Sequence, residues 1–339
     1  TIAGWLLLLA AGGCCSGDGA CRPDETRVTA LRCRDRVDPE GVDRPVLSWK
    51  IESGERGVVQ TAWEIEIASS EKALAKGEAD VWKSGKRPSD AQLNIVPEGA
   101  VLQYGEPYWW RVRIWNGRDE ATQWSAPAKF SVGPSDGDWQ GKWITAEWEK
   151  DAPMPYFRTV FDAESKPVRA VAYFCGLGCG DLYVNGALAD ETRVLDPAQT
   201  NYEQYALYAA YDVTDRVKKG ENCIGVMLGD GWYDQGKVWG PGFSYGEPLM
   251  RLQLEVTYKD GSKQIVATDQ SWTWAPGPVL SANIYAGETY DATREIAGWS
   301  APGSPQGNWR PAVRAGGIVP PSLRPRLMDP TRLKGSIAP

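Results

Sequence analysis

Alternation of apolar and polar positions runs through most of this chain. Leu47, Trp49 and Ile51 alternate with Ser48 and Lys50, and Trp63, Ile65 and Ile67 with Glu64 and Glu66. Tyr108, Trp110, Val112 and Ile114 alternate with Trp109, Arg111 and Arg113, and Leu252, Leu254, Val256 and Tyr258 with Gln253, Glu255 and Thr257. A period of two with polar partners marks half-buried strands. Turn clusters such as SGERG at 53–57 and SGKRPS at 84–89 separate the runs, and one short helical stretch is expected over 71–77. Many short strands with almost no helix predict an all-β protein.

The densest patterning lies between Tyr173 and Tyr233. Asn185-Gly186 sits between two apolar runs, and both residues accept positive φ, so the pair predicts a two-residue type I′ hairpin turn. Asp212 and Thr214 supply side chains to cap a helical turn over 216–219, Gly220 ends it, and Cys223 to Leu228 is an apolar run of buried-strand length. Asp260-Gly261 predicts a second tight hairpin, between the 252–258 strand and 263–268. The pattern divides into one sandwich over 24–133, a Gly/Pro/Ser/Asp linker at 133–138, an antiparallel jelly-roll sandwich over 139–300, and a Pro-rich, locally basic tail at 301–339 that reads as a linker unable to bury a core alone.

Composition narrows the chemistry. The 339 residues hold no His, which excludes Ser-His-Asp triads, Cys-His dyads and His-ligated zinc. No cofactor is required; any metal would need oxygen ligands, which suits calcium. A net charge of −7, dispersed along the chain, argues against nucleic acid as a partner. Seven cysteines at wide spacing make neither a disulfide framework nor a zinc knuckle; Cys175 and Cys223 fall in apolar strands and read as buried free thiols, with a bridge between them as the less favoured alternative. The glycines at 176, 178 and 180 form GxGxG, not the dinucleotide-binding GxGxxG, and are followed by a strand, so they read as a turn. Glycoside hydrolysis needs two carboxylates flanking the scissile bond; 44 acidic residues offer no pair singled out by spacing, and no catalytic residue is assigned.

The aromatic mix of 17 Trp and 14 Tyr against 5 Phe suits half-exposed sheet faces and carbohydrate platforms. A sugar presents C–H faces to aromatic rings and hydroxyls to Asp, Asn or a bound calcium. The loops of the second sandwich contain Asp181, Asn185, Asp190, Asp196, Asn201 and Asp230, with Trp232, Tyr233, Trp239 and Tyr245. Of these, Asp181, Asn185, Asn201, Asp230, Trp232, Tyr233 and Trp239 are the candidate sugar-binding residues, and Asp181 and Asp230 the candidate metal ligands. Each also has an ordinary structural reading: Asn185 as a turn former, Asp190 and Asp196 as loop caps, Trp232 as core. Glu288 and Asp291 flank Tyr290 in GETYDA at 287–292, which reads equally as a surface facing a neighbouring domain or as an internally bonded turn.

The string GLG at 176–178, LYVNG at 182–186, LDPAQTNY at 195–202, YDVT at 211–214, GVMLGDGWY at 225–233 and NIYAGETYDA at 283–292 resembles the N-terminal region of bacterial α-L-rhamnosidases, over roughly residues 24 to 330. These glycoside hydrolases carry several β domains before an (α/α)6 catalytic barrel. The late strand YWWRVRIWN at 108–116 resembles a fibronectin type III module. The resemblance implies a non-catalytic N-terminal portion of an enzyme that hydrolyses terminal α-L-rhamnose with inversion, one carboxyl acting as acid and another as base on water. Rhamnose-containing glycans and a downstream catalytic domain are the partners it implies, and the chain alone is expected to be inactive. In some rhamnosidases the corresponding jelly-roll is a calcium-dependent rhamnose-binding module. The rival reading is a stand-alone carbohydrate-binding or adhesion protein. Residues 1–23 suggest a leader and tether: Leu6 to Ala11 is too short to span a membrane but fits a signal-peptide core, and AGGC at 11–14 resembles a lipobox with Cys14 acylated. A secreted, periplasmic or cell-surface lipoprotein is expected, touching the membrane only through that anchor, and a start on Thr1 reads as a fragment.

Overall fold

The computed structural model describes residues 25–147, 152–316, 319–326, 328–335 and 337. Cys14 and the expected leader lie outside the described residues.

The expected strands form, and they pack as two sandwiches. In the first, the pair Arg27–Cys33 and Leu47–Glu52 faces a five-stranded sheet built on Ala62–Ala68, Pro107–Trp115 and Ala128–Ser131. Alternation decides which side chains meet: Leu47 and Trp49 from one sheet bury against Ile65, Ile67, Trp110, Val112, Ile114 and Phe130 from the other. The helix expected here spans Glu71–Ala75, with the Ser70 hydroxyl accepting from the Ala73 amide as its N-cap.

The second sandwich stacks two larger sheets. One runs in the order Val313–Arg314, Ile144–Thr145, Leu249–Thr257, Arg169–Leu177, Ala206–Asp212, Leu323–Pro325, with Lys263–Ala267 also on Leu249–Thr257. The other runs Ala187–Leu188, Cys179–Val184, Gly220–Gly229, Pro155–Ala163, Thr273–Pro276, Arg310–Pro311. Ala170, Ala172, Phe174, Leu252 and Leu254 of the first meet Phe157, Leu182, Val184, Ile224, Val226 and Trp274 of the second in one core. The chain passes between sheets at Gly178, between the Arg169–Leu177 and Cys179–Val184 strands, so the glycine-rich run is a corner as expected.

Local signals hold in detail. Asn185 and Gly186 have φ of 53° and 86°, the paired positive values of a type I′ turn. The Thr214 amide donates to Asp212 Oδ1, capping a single turn that closes from Val213 to Val217, slightly earlier than expected. Cys33, Cys175, Cys179 and Cys223 are free thiols.

Two expectations need correction. The described part of the 301–339 stretch is not a free linker. Arg310–Pro311 and Val313–Arg314 extend the two sheets, and Leu323–Pro325 pairs in parallel with Ala206–Asp212, an exception to the antiparallel rule. Buried Arg326 forms an ion pair with Asp196, which also takes Arg193 at 2.7 Å and the Tyr211 hydroxyl at 3.0 Å. The tail lacks a core of its own and uses that of the sandwich. The 133–138 linker is likewise fixed: Asp136 accepts from the Leu323 amide, and the Tyr208 hydroxyl donates to the carbonyls of Gly41 and Pro134. Arg169–Glu40 at 2.7 Å, Lys263–Glu106 at 2.8 Å and a hydrogen bond between Gln253 Nε2 and the Tyr104 hydroxyl join the two sandwiches along this seam.

Candidate functional site

Strand alternation on the six-stranded sheet sets up the site. In Cys179–Val184, Leu182 and Val184 enter the core, so Asp181 and Tyr183 face outward. In Gly220–Gly229 the outward set is Cys223, Gly225, Met227 and Gly229, with Asp181 opposite Met227 and Tyr183 opposite Gly225. The hairpin Val279–Asn283 and Gly287–Tyr290 lies against this face. Together they enclose a cavity of about 400 Å³ lined by Asp181, Met227, Gly229, Asn283, Ile284 and Glu288, among others. Burial and then the Glu288 charge push the Asp181 carboxyl above its ordinary pKa, the behaviour of two acids sharing one hollow.

Asp230 lies between two cavity-lining glycines but does not line the cavity. Its side chain is buried, with Lys237 Nζ at 3.7 Å. Burial raises its pKa to about 6, against the opposing pull of Lys237 and with a further push from Asp234. Asp181 and Asp230 therefore do not converge on that cavity as a pair of metal ligands: the strand ends at Gly229, and Asp230 opens a turn closed by the Tyr233 and Asp234 amides, with its carboxyl buried toward Lys237. Among the described residues no cluster of three or more Cys, Asp or Glu could hold a metal. The carboxylates that do converge are Asp181 and Glu288.

The aromatic candidates divide. Trp232 and Trp239 each meet Tyr285 edge to face, with centroids 5.6 Å apart in both cases. Trp239 is 56 % and Tyr285 60 % exposed, and Trp232 and Tyr285 directly follow the cavity-lining residues Gly231 and Ile284. Tyr285 and Trp239 thus form an exposed aromatic platform, next in the chain to cavity-lining Ile284, whereas Trp232 is half-buried and packs against the cluster that holds Tyr233. Tyr233 belongs elsewhere: it is fully buried, edge to face with Tyr202 and stacked on Tyr245, against the outer face of the other sheet. It anchors the loop and is not a sugar platform.

Asn185 and Asn201 are corrected too. The Asn185 side chain donates to Asn222 Oδ1 and the Arg216 carbonyl and accepts from the Cys223 amide, so all of its polar groups serve the turn. Asn201 accepts from the Glu203 amide in an exposed turn away from the cavity. Asp190 accepts from Thr192 and pairs with Arg332 at 2.8 Å. Asp291 caps the turn at Thr293, as the internally bonded reading of the GETYDA motif expects, whereas Glu288 lines the cavity. Tyr285, Asn283 and Met227 were not singled out by sequence. Alternation within Val279–Asn283 and Gly287–Tyr290 was the signal available for the hairpin, but only the packing of that hairpin on the sheet makes a cavity.

Comparison with known proteins fits this architecture. Residues 165–334 match the family described as "Alpha-L-rhamnosidase N-terminal domain", and residues 28–136 match "Rha78A-like, N-terminal immunoglobulin domain". The first sandwich was compared above with fibronectin type III; both module types share the two-sheet architecture. An α-L-rhamnosidase of Formosa agariphila is 32% identical over 79% of this chain and 31% of its own length. One from Alteromonas sp. is 30% identical over 87% of this chain and 33% of its own. The solved α-L-rhamnosidase named from Dictyoglumus thermophilum superposes with a TM-score of 0.79 at 32% identity, covering 88% of this chain and 35% of that one. The Streptomyces avermitilis α-L-rhamnosidase, solved in complex with L-rhamnose, shares the fold at a TM-score of 0.79 and 23% identity, covering 90% of this chain and 46% of that one. The chain thus spans about a third of the length of the curated relatives named here. With half of its residues under one family's pattern and both sandwiches superposed on solved relatives, the chain belongs to the α-L-rhamnosidase N-terminal domain family.

Proposed function

We propose that this chain is the non-catalytic N-terminal β region of a secreted glycoside hydrolase that removes terminal α-L-rhamnose from glycans or glycosides, and that its jelly-roll sandwich holds a rhamnose unit. The observation that carries the binding role is the Asp181–Glu288 cavity with the exposed Tyr285–Trp239 platform on the adjoining segments, within the span matched to the rhamnosidase family. Carboxylates accept hydrogen bonds from sugar hydroxyls and the rings pack on C–H faces. Calcium assistance is part of the proposal, with Asp181 and Glu288 as the carboxylates: a divalent ion would relieve their repulsion and share vicinal hydroxyls of the sugar. A catalytic domain in the same protein would perform the hydrolysis. Lipid anchoring through Cys14 would keep the enzyme at the cell surface, and Cys14→Ser would release it from the membrane fraction.

Calorimetry of the 339-residue chain with L-rhamnose, with calcium and then with EDTA, tests the binding role. A single sugar buries little area, so a Kd near ~0.1–1 mM is expected, weakened by EDTA. No heat of binding in calcium buffer would leave the domain as a brace, a role supported by the charged and hydrogen-bonded seam between the sandwiches. The same preparation is expected to release no p-nitrophenol from its α-L-rhamnoside; release would place catalysis within this chain.

A further inference from the structure

A second cleft adjoins the first along the same sheet face. It measures about 370 Å³ and is lined by Tyr156, Tyr183, Met227, Tyr290, Glu295 and Trp299. Met227 lines both hollows. Asp181 lines the first and Tyr183 the second, two residues further along one strand; Glu288 and Tyr290 do the same on the hairpin. Two residues of extended strand advance about 6.5–7 Å, so the hollows succeed each other at roughly the spacing of neighbouring sugars in a glycan.

The second cleft is built with care for its rings. Trp299 lies flat on Tyr156, with centroids 4.0 Å apart and planes 13° from parallel, and stands edge to face with Tyr183 at 5.0 Å. Gly225 permits this: a Cβ there would come within 2.7 Å of the Trp299 ring and 2.6 Å of Ser300 Cβ. Tyr290 forms the outer wall, is 46 % exposed, and donates its hydroxyl to Glu295 at 2.6 Å. Rings with one carboxylate in reach form a surface suited to a sugar, continuing the acid-lined first cavity.

We infer that the two hollows are consecutive sugar subsites, and that the ligand of this domain is an oligosaccharide whose terminal rhamnose occupies the Asp181–Glu288 cavity and whose next sugar rests among Tyr183, Tyr290 and Trp299. This rests on the sugar-binding reading given above. Ordering two linked sugars costs the translational entropy of one molecule, so the second unit adds affinity at little further cost.

Calorimetry of the 339-residue chain with L-rhamnose and with a rhamnose disaccharide, on wild type and Tyr290→Ala, tests it. The disaccharide is expected to bind about tenfold tighter than rhamnose. Tyr290→Ala should lose that gain and keep the affinity for rhamnose, because Tyr290 does not line the first cavity. A Tyr290→Ala melting curve matching wild type secures that the variant is folded. Equal affinity for both sugars, or an undiminished gain in Tyr290→Ala, overturns the second subsite while leaving rhamnose binding in place. Silence with both sugars overturns the sugar-binding reading itself and this inference with it.

Discussion

On the outward face of the Pro107–Trp115 strand, Arg111 and Arg113 lie over the Trp124 ring at 4.5 and 4.6 Å, and their charges end on Glu66 at 2.6 Å and Glu64 at 2.7 Å. On the outward face of the Cys179–Val184 and Gly220–Gly229 strands, aromatic rings and carboxylates are again gathered, but no Arg or Lys lines either hollow. The residue types are alike and the outcomes differ. In the first sandwich every cross-strand acid meets a base in register, Glu64 opposite Arg113 and Glu66 opposite Arg111, and the tryptophan is covered by the guanidinium groups. In the second, Asp181 stands opposite Met227 and Tyr183 opposite Gly225, so no base stands opposite the Asp181 carboxylate, and the rings pack on one another instead of under guanidinium groups. The same residue types thus give a closed, ion-paired face in one sandwich and an acid-lined hollow in the other, according to what stands opposite them in register.

The largest effect expected from breaking this contrast is at a ring that belongs to neither face. Tyr233→Ala removes a fully buried side chain from the Tyr202–Tyr245 cluster and should cost roughly 3–5 kcal/mol in chemical denaturation, with any loss of sugar binding following from unfolding. If that variant were as stable as wild type and bound no sugar, the platform would have to be redrawn to include Tyr233.

Next come residues whose polar groups are wholly used inside the fold. Glu66→Ala strips the half-buried Arg111 of its ion pair and should destabilise by about 2–3 kcal/mol without touching sugar affinity. Asn185→Ala loses three hydrogen bonds and places Ala at a positive φ, for a loss of similar size, roughly 2–3 kcal/mol by urea titration. Rhamnose affinity in the folded fraction should be unaltered in both.

A smaller effect separates Asp230 from the cavity acids. Burial pushes its pKa in the fold up to about 6, above the ordinary carboxylate value of 3.8, so the folded state binds the proton more tightly. The charged form therefore destabilises the fold at neutral pH, and the burden lifts as pH falls through 6 toward 4. Lowering pH from 7 to 5 should gain about 1 kcal/mol from this group, and Asp230→Asn should remove that part of the pH dependence. A pH profile identical in wild type and Asp230→Asn would show that the carboxyl is not buried as described. The smallest effect on stability is expected at Trp239→Ala, within about 0.5 kcal/mol because the ring is exposed, and there the loss should appear in sugar affinity.

What the sequence by itself determined was local. Period-two alternation placed the strands, Asn185-Gly186 set its turn through backbone sterics, and the apolar runs around Cys175 and Cys223 put those thiols inside. Each depends on neighbours a few residues apart, which a linear pattern records. The site was only half legible. Asp181, Trp232 and Trp239 could be singled out because an acid or a large ring in a loop-rich stretch is visible in the chain. That Tyr233 is fully buried while Trp239 stays exposed, that Asp230 faces Lys237 while Asp181 shares a cavity with Glu288, and that Arg310–Pro311, Val313–Arg314 and Leu323–Pro325 return to both sheets were decided by tertiary structure. Asp181 and Glu288 lie more than a hundred positions apart, and a hollow between two packed surfaces belongs to neither sequence. Such a site depends on which strand lies over which, and long-range packing of the apolar faces settles that.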